Sequence, residues 1–356
     1  MTVKRVEFMT MLFSSIAAKF RAQVSHKSAL LGSAVALASV LAVTAPVQAA
    51  DIEVEPAGFA VQAENATSKL LLDAAKAGDR LVAVGEFGHI VLSDDGGKTW
   101  TQAKEVRSQV ALNSVMFVND KVGFAAGHDA TVLKTTDGGD TWRVFYRDTD
   151  FENPLLAVHF EDENKGYAVG AFSLMIETMD GGETWKTRPV FEGNANDYHL
   201  NDIYKSKAGT ILMPSEFGIV YRSIDGGATF EEIQTSYEGS FWSGLGLSDG
   251  SILVYGMRGN IYRSVDEGLT WTPVIATTKK SFGGGVELDD GTVVLSGLNG
   301  AVAYSSDMGK SFETYSRPDR AGFNAVIGGA DDTVIIFGAP GLRVMPDTYE
   351  AANAPS

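Results

Sequence analysis

One eight-residue motif recurs six times along the chain, at residues 93–100, 135–142, 178–185, 223–230, 264–271 and 305–312. Its pattern is S/T-x-D-x-G-x-T/S-W/F. The aspartates are Asp95, Asp137, Asp180, Asp225, Asp266 and Asp307, spaced 42, 43, 45, 41 and 41 residues apart. A second marker, a G-x-x-G-like turn, precedes each motif by about ten residues, starting at Gly85, Gly127, Gly170, Ser215, Gly256 and Gly297. It appears a seventh time at Gly338 with no motif after it. Ala130 and Ser173 replace the second glycine, and Ser215 the first. Fifteen residues before each marker stands an apolar residue: Leu70, Leu112, Leu155, Leu200, Phe241, Phe282 and Phe323.

Fixed-period self-similarity of about 42 residues is the signature of an array of identical modules. Within each period, short β-type runs alternate with turn residues. Four short strands in about 42 residues make one propeller blade, which cannot bury both faces alone and must stack on its neighbours around an axis. The spacing therefore predicts an all-β fold, a single seven-bladed β-propeller over residues 51–346. The seventh unit supplies three strands. Residues 52–59 are the available donor of its fourth, which would close the last blade with an N-terminal strand. Residues 347–356 read as a flexible tail.

The first fifty residues differ from the rest. Lys4, Arg5, Lys19, Arg21 and Lys27 precede an uncharged apolar stretch over 29–43, and small residues follow at 47–50. Basic, apolar, then small is the order of a secretory signal. The apolar run is about 15 residues, short of the roughly 20 that a membrane span requires. Residues 1–50 are thus expected to be a cleaved signal, and the mature chain to be periplasmic, without membrane insertion. Removing them leaves 24 basic residues against 44 acidic. Such a surface repels phosphates, so no nucleic-acid partner is expected. There is no cysteine, which excludes disulfides, thiolate metal sites and thiol nucleophiles.

The repeated aspartates read as architecture. A turn aspartate accepts backbone N–H hydrogen bonds, the glycine tolerates φ > 0, and the aromatic residue buries a large area. The D-x-[DN]-x-[DN]-G spacing of a calcium loop is absent, and His89, His128, His159 and His199 have no metal spacing, so neither a metal nor another cofactor is expected. A catalytic site needs unlike residues converging once, which six copies of one chemistry do not provide.

The boxes match the Asp-box, or BNR-repeat, propellers. Seven blades with boxes on most, a G-x-x-G turn before each, and a secretion signal resemble the photosystem II stability/assembly factor family and its non-photosynthetic bacterial relatives, over about residues 60–345. The resemblance implies a non-catalytic binding scaffold, an assembly or accessory factor whose client is a protein, in these relatives a membrane or envelope complex such as a transporter. The box also occurs in sialidases and other glycan-active proteins, so an Asp-box glycan-binding protein or sialidase-like hydrolase is the alternative. The F/Y-R-I-P motif of sialidases is missing. Arg222 and Arg263 share one repeat phase and read as packing, and Arg258 stands alone in a turn.

Rigid blades present variable loops at one axial face. The G-x-x-G turns and the links between blades are expected to share it. They offer the aromatic set Phe87, Phe172 and Phe217, the outlier Trp242, the lone Arg258, and a basic group of Lys279, Lys280, Arg317 and Arg320 as the partner-binding residues.

Overall fold

The computed structural model describes residues 58–149 and 153–353. The expected signal, most of the proposed donor strand and the last three residues lie outside them. Seven sheets follow one another, each built of antiparallel strands that run outward in chain order; in the second, the short strand Glu105–Val106 adds a parallel outer edge to Thr141–Tyr146. The innermost strands are Leu71–Ala77, Leu112–Phe117, Leu155–Phe160, Tyr204–Lys205, Phe241–Gly246, Phe282–Glu287 and Phe323–Gly328. Seven apolar clusters fill the spaces between blades, one for each neighbouring pair. The cluster of Leu71, Leu81 and Val91 with Ala325, Ile335 and Phe337 joins the last blade to the first, so the ring is closed. Among the described residues no helix is long and apolar enough to cross a membrane.

The six boxes share one hydrogen-bond pattern. In the second blade, Asp137 Oδ1 accepts from Thr135 Oγ1 at 2.8 Å and from Thr141 N–H at 2.9 Å, while Oδ2 accepts from Thr141 Oγ1 at 2.6 Å. Trp142 Nε1 donates to Gly139 O at 2.9 Å. Asp95, Asp180, Asp225, Asp266 and Asp307 repeat the carboxylate pattern. Hydrogen bonds from Thr99 and Thr229 hold the Asp95 and Asp225 carboxyls at about 2. At Asp137, Asp180, Asp266 and Asp307, partial burial pulls upward, but the same hydrogen bonds outweigh it and the carboxyls stay below their ordinary value.

The turn so formed exposes the carbonyl after each aspartate to the preceding blade. Arg80 donates to Gly138 O at 3.1 Å, Lys134 to Gly181 O at 2.8 Å, Tyr167 to Gly226 O at 2.8 Å and Arg263 to Met308 O at 2.9 Å; Arg222 donates to Glu267 O. The last blade has no such side chain. There Ala330 N–H donates to Gly96 O at 2.9 Å, and Lys98 pairs with Asp331 at 2.8 Å. Arg222 and Arg263 are therefore blade clasps, each also ion-paired within its own blade, to Glu231 and Asp249.

Two expectations differ from the structure, and a third falls mostly outside the described residues. The first-blade landmark is Leu71, which is fully buried and pairs with Gly85, as Leu112 pairs with Gly127; Leu70 is one residue off. The last sheet has three strands among the described residues; residues 52–57 of the expected donor lie outside them, and Gly58 and Phe59, at its end, lie beside Gln109, whose Nε2 donates to Phe59 O at 2.7 Å. The segment after residue 346 is not simply frayed. Tyr349–Ala352 form a helical turn capped by Thr348, and Tyr349 packs on Tyr304 with ring centroids 6.5 Å apart. Tyr349 and Ala352 sit three apart and so share one apolar side.

Replacing Asp137 by alanine removes the acceptor for three donors. It is expected to lower stability by about 1–3 kcal/mol in urea unfolding. The depressed box carboxyls contribute stability that is present above the unfolded value near 3.8 and lost as pH falls toward 2. The urea midpoint of the native protein is expected to drop steeply between about pH 4 and pH 2.

Candidate functional site at the hub and its surrounding face

The marker glycine determines how the hub is built. A Cβ at Gly85, Gly127, Gly170, Gly256, Gly297 or Gly338 would lie 1.9 to 2.3 Å from a carbonyl oxygen just before the inner strand. Such close approach permits no side chain. Where the pairing is tight, the inner strand bulges after its landmark residue, between Leu71 and Asp73, Leu112 and Ser114, Leu155 and Ala157, Phe241 and Ser243, Phe282 and Gly284, and Phe323 and Ala325. Blade 4 departs because Ser215 replaces the glycine. Its hydroxyl donates to His199 O at 2.7 Å, only an isolated bridge joins it to Leu200, and the inner strand begins late, at Tyr204.

The residue in each bulge, and Asn201 at the equivalent position of blade 4, faces the axis. Leu72, Asn113, Leu156, Asn201, Trp242, Gly283 and Asn324, one from every blade, ring a pocket of about 310 Å³. Below it a chamber of about 190 Å³ shares Asp73, Asp202, Ser243, Gly283 and Asn324 with the mouth and reaches Tyr255. Asp73 accepts from Val115 N–H of the next blade and from Ala74 N–H, both at 2.8 Å. Asp202 accepts from Ile203 N–H at 2.7 Å and from Ser243 Oγ at 2.6 Å. Burial raises the Asp73 carboxyl to about 7, and the charge of Asp202 adds to the rise against those N–H donors. Burial likewise raises Asp202, opposed by Ser243. Two desolvated carboxyls at one axis resist ionising together.

Around this mouth lies the face formed by the marker turns. Gly88 N–H donates to Val110 O, Ser173 N–H to Tyr198 O, Gly218 N–H to Gly239 O and Gly300 N–H to Ala321 O, so each turn is tied to the link that follows its blade. The two loop sets therefore share one face. Phe87, Phe172 and Phe217 are each more than half exposed, at φ of 55 to 56°. Phe172 packs on His199, and Tyr198 on Phe217, both at 4.9 Å, so blades 3 and 4 carry a continuous aromatic patch. It runs into a groove of about 490 Å³ lined by Phe217, Tyr237, Met257 and Arg258, with Glu216 and Glu238. Phe87 sits apart on blade 1, against His89.

The basic group divides. Arg258, Lys279 and Arg320 are exposed. Lys280 Nζ donates to Asn299 O at 2.9 Å and Ser316 Oγ at 2.8 Å, joining two blades. Arg317 pairs with Asp319 at 2.7 Å and lies 5.3 Å over the Phe323 ring. Trp242 is half-buried in the axial mouth, away from the outer turns, because it occupies the bulge position of blade 5.

Sequence reasoning missed Asp73 and Asp202. The signal was present: two residues after the landmark the seven units read Asp73, Ser114, Ala157, Asp202, Ser243, Gly284 and Ala325. Counting the first unit from Leu70 hides that equivalence. It also missed an arc on the box side, where the second motif residue is the exposed Met179, Ile224 and Val265 in three consecutive blades.

The comparisons with known proteins agree with this geometry. The family described as photosynthesis system II assembly factor YCF48 matches residues 142–294, and the BNR/Asp-box repeat matches residues 91–102. The chain is a seven-bladed Asp-box propeller that resembles the YCF48 assembly factors. A structure of YCF48 bound to D1 peptide is similar at a TM-score of 0.64 and 20% identity, covering 81% of this chain and 96% of that one. YCF48 from Cyanidioschyzon merolae gives 0.61 at 16%, covering 81% and 98%. The WD40 propeller domain of Doa1 gives 0.61 at 11%, covering 84% and 99%. No curated protein matches.

Asp73 has a raised carboxyl, so its neutral form favours the fold. That contribution is present below about pH 3.8 and is lost as pH rises through about 7. Asp73→Asn keeps one acceptor oxygen and cannot ionise. Its melting temperature is expected to gain on that of the native protein between pH 5 and pH 8; an unchanged difference would contradict the buried charge.

Proposed function

We infer that this chain is a non-catalytic client-binding propeller, an assembly or accessory factor that holds a protein through its turn face. The observation that carries this is the placement of Phe172 and Phe217. A bulky residue at φ near +55° is strained by about 1 kcal/mol or more relative to glycine. The same turn position is filled by Asn299 in blade 6, which suits that conformation better. More than half of each phenylalanine stays exposed in the monomer, and aromatic and arginine side chains anchor protein interfaces. A related propeller, YCF48, is known bound to a D1 peptide, which supports a protein client here. The basic and apolar order of residues 1–50 supports export to the periplasm, where the client would be a membrane or envelope complex such as a transporter.

One observation favours a glycan reading instead: two carboxyls line the axial pocket. Against it, no arginine among the described residues lines that pocket, where a sialic acid carboxylate would need a cation set.

Photo-crosslinking residues placed at 172, 217 and 258 are expected to capture one and the same envelope protein, with little adduct from positions 94 and 136 on the box side. Equal capture from both sides, or none, would overturn the reading. Hydrolysis in a fluorogenic glycoside panel that disappears in Asp73→Asn and Asp202→Asn would establish the alternative.

A further inference from the structure

The axial pocket has a chemistry that client binding on the outer turns does not use. Its two carboxyls, Asp73 and Asp202, face a pocket and chamber lined, among the described residues, by no lysine or arginine. Buried carboxylates normally have a cationic partner. Asn113 and Asn201 each give one amide N–H to the next blade, donating to Leu155 O and Phe241 O, both at 2.7 Å. Each keeps its amide oxygen as an acceptor beside one N–H not used in that bond. Trp242 adds an aromatic surface at the mouth, and blade 6 contributes Gly283, Gly284 and Gly285, so one side carries no side chain to fill the space. Acceptor oxygens, two carboxyls that burial holds back from ionising, and an indole together define what can be bound. Anions are disfavoured, neutral groups do nothing for the ionised pair, and a cation stabilises the ionised carboxyls and packs on the indole.

We propose that the axial pocket binds a single organic cation, an alkylammonium or guanidinium group, held by Asp73 and Asp202 beside Trp242. The pocket volume of about 310 Å³ suits one such group and excludes a folded segment. The cation arrives either as a free small amine or as the side chain of a lysine or arginine. Binding draws the carboxyls toward ionisation, so it releases protons. The titratable groups facing the pair are His159, Tyr204 and Tyr255. Both tyrosines stay neutral, being raised by burial.

The test is a titration of the full chain with n-butylammonium and with N-acetylarginine amide, read by Trp242 fluorescence. Trp242→Phe subtracts the signal of the other tryptophans. A saturable change is expected, about tenfold or more weaker in Asp202→Asn, the loss of one charge partner. Asp73→Asn serves as the second variant, and circular dichroism verifies that both are folded. Affinity is expected to rise between pH 6 and pH 8, with proton release measured by calorimetry in two buffers. The two probes separate the sources: stronger binding of the amide indicates a protein side chain, stronger binding of n-butylammonium a free amine. Equal response to neutral n-butanol, or unchanged affinity in both folded Asn variants, overturns the proposal. None of these outcomes depends on whether the outer turns bind a client.

Discussion

The wheel depends on one small contact, the carbonyl that follows each box aspartate and is gripped by the blade before it. The aspartate fixes the turn by accepting from the threonine or serine four residues on, and the turn then presents that carbonyl outward. Side chains of Arg80, Lys134, Tyr167, Arg222 and Arg263 reach it in turn, and a backbone N–H from Ala330 reaches the first. The contact is individually modest, on the order of 1 kcal/mol for a typical hydrogen bond. Its repetition fixes the angle between neighbouring blades, and the apolar clusters between them fill at that angle. Box chemistry is thereby consumed in the scaffold, which accounts for its recurrence with little variation.

Freedom is left at the opposite ends of the strands. The marker glycine lets the inner strand press so close that it bulges, and the bulge turns one residue per blade to the axis. The same turn leaves the residue two positions after it exposed with left-handed backbone. The repeat thus specifies the geometry of the hub face but not its chemistry. In this chain the bulge positions hold Trp242 and three asparagines, the turn positions hold three phenylalanines and Arg258, and blades 3 to 5 carry most of the aromatic surface. An acidic hub within an aromatic and partly basic rim is an uneven surface on an evenly built frame.

The fold was legible in the sequence because periodicity is a property of all seven units at once. Three boxes would have sufficed. The sharing of one face by turns and links was legible too, since both follow from strand alternation. The hub was not, for a physical reason: Asp73 and Asp202 lie far apart in sequence and meet only when the ring closes. Recognising them requires the bulge register, which is set by a contact between Gly85 and the Leu70 carbonyl that no propensity encodes. Trp242 stood out as belonging to no box, but its position inside the mouth depends on the same bulge. Arg317 and Lys280 show the opposite case, basic residues in a binding-like cluster that are largely occupied by Asp319, Asn299 and Ser316.

The central claim is that architecture occupies the box side and binding the hub side. Hydrogen–deuterium exchange of the full chain, alone and with a detergent-solubilised envelope fraction, tests it most directly. Protection confined to the marker turns at 86–89, 171–174, 216–219 and 257–260 and to the links beside them is the result this account predicts. Protection at the box turns with the marker turns unchanged would contradict it.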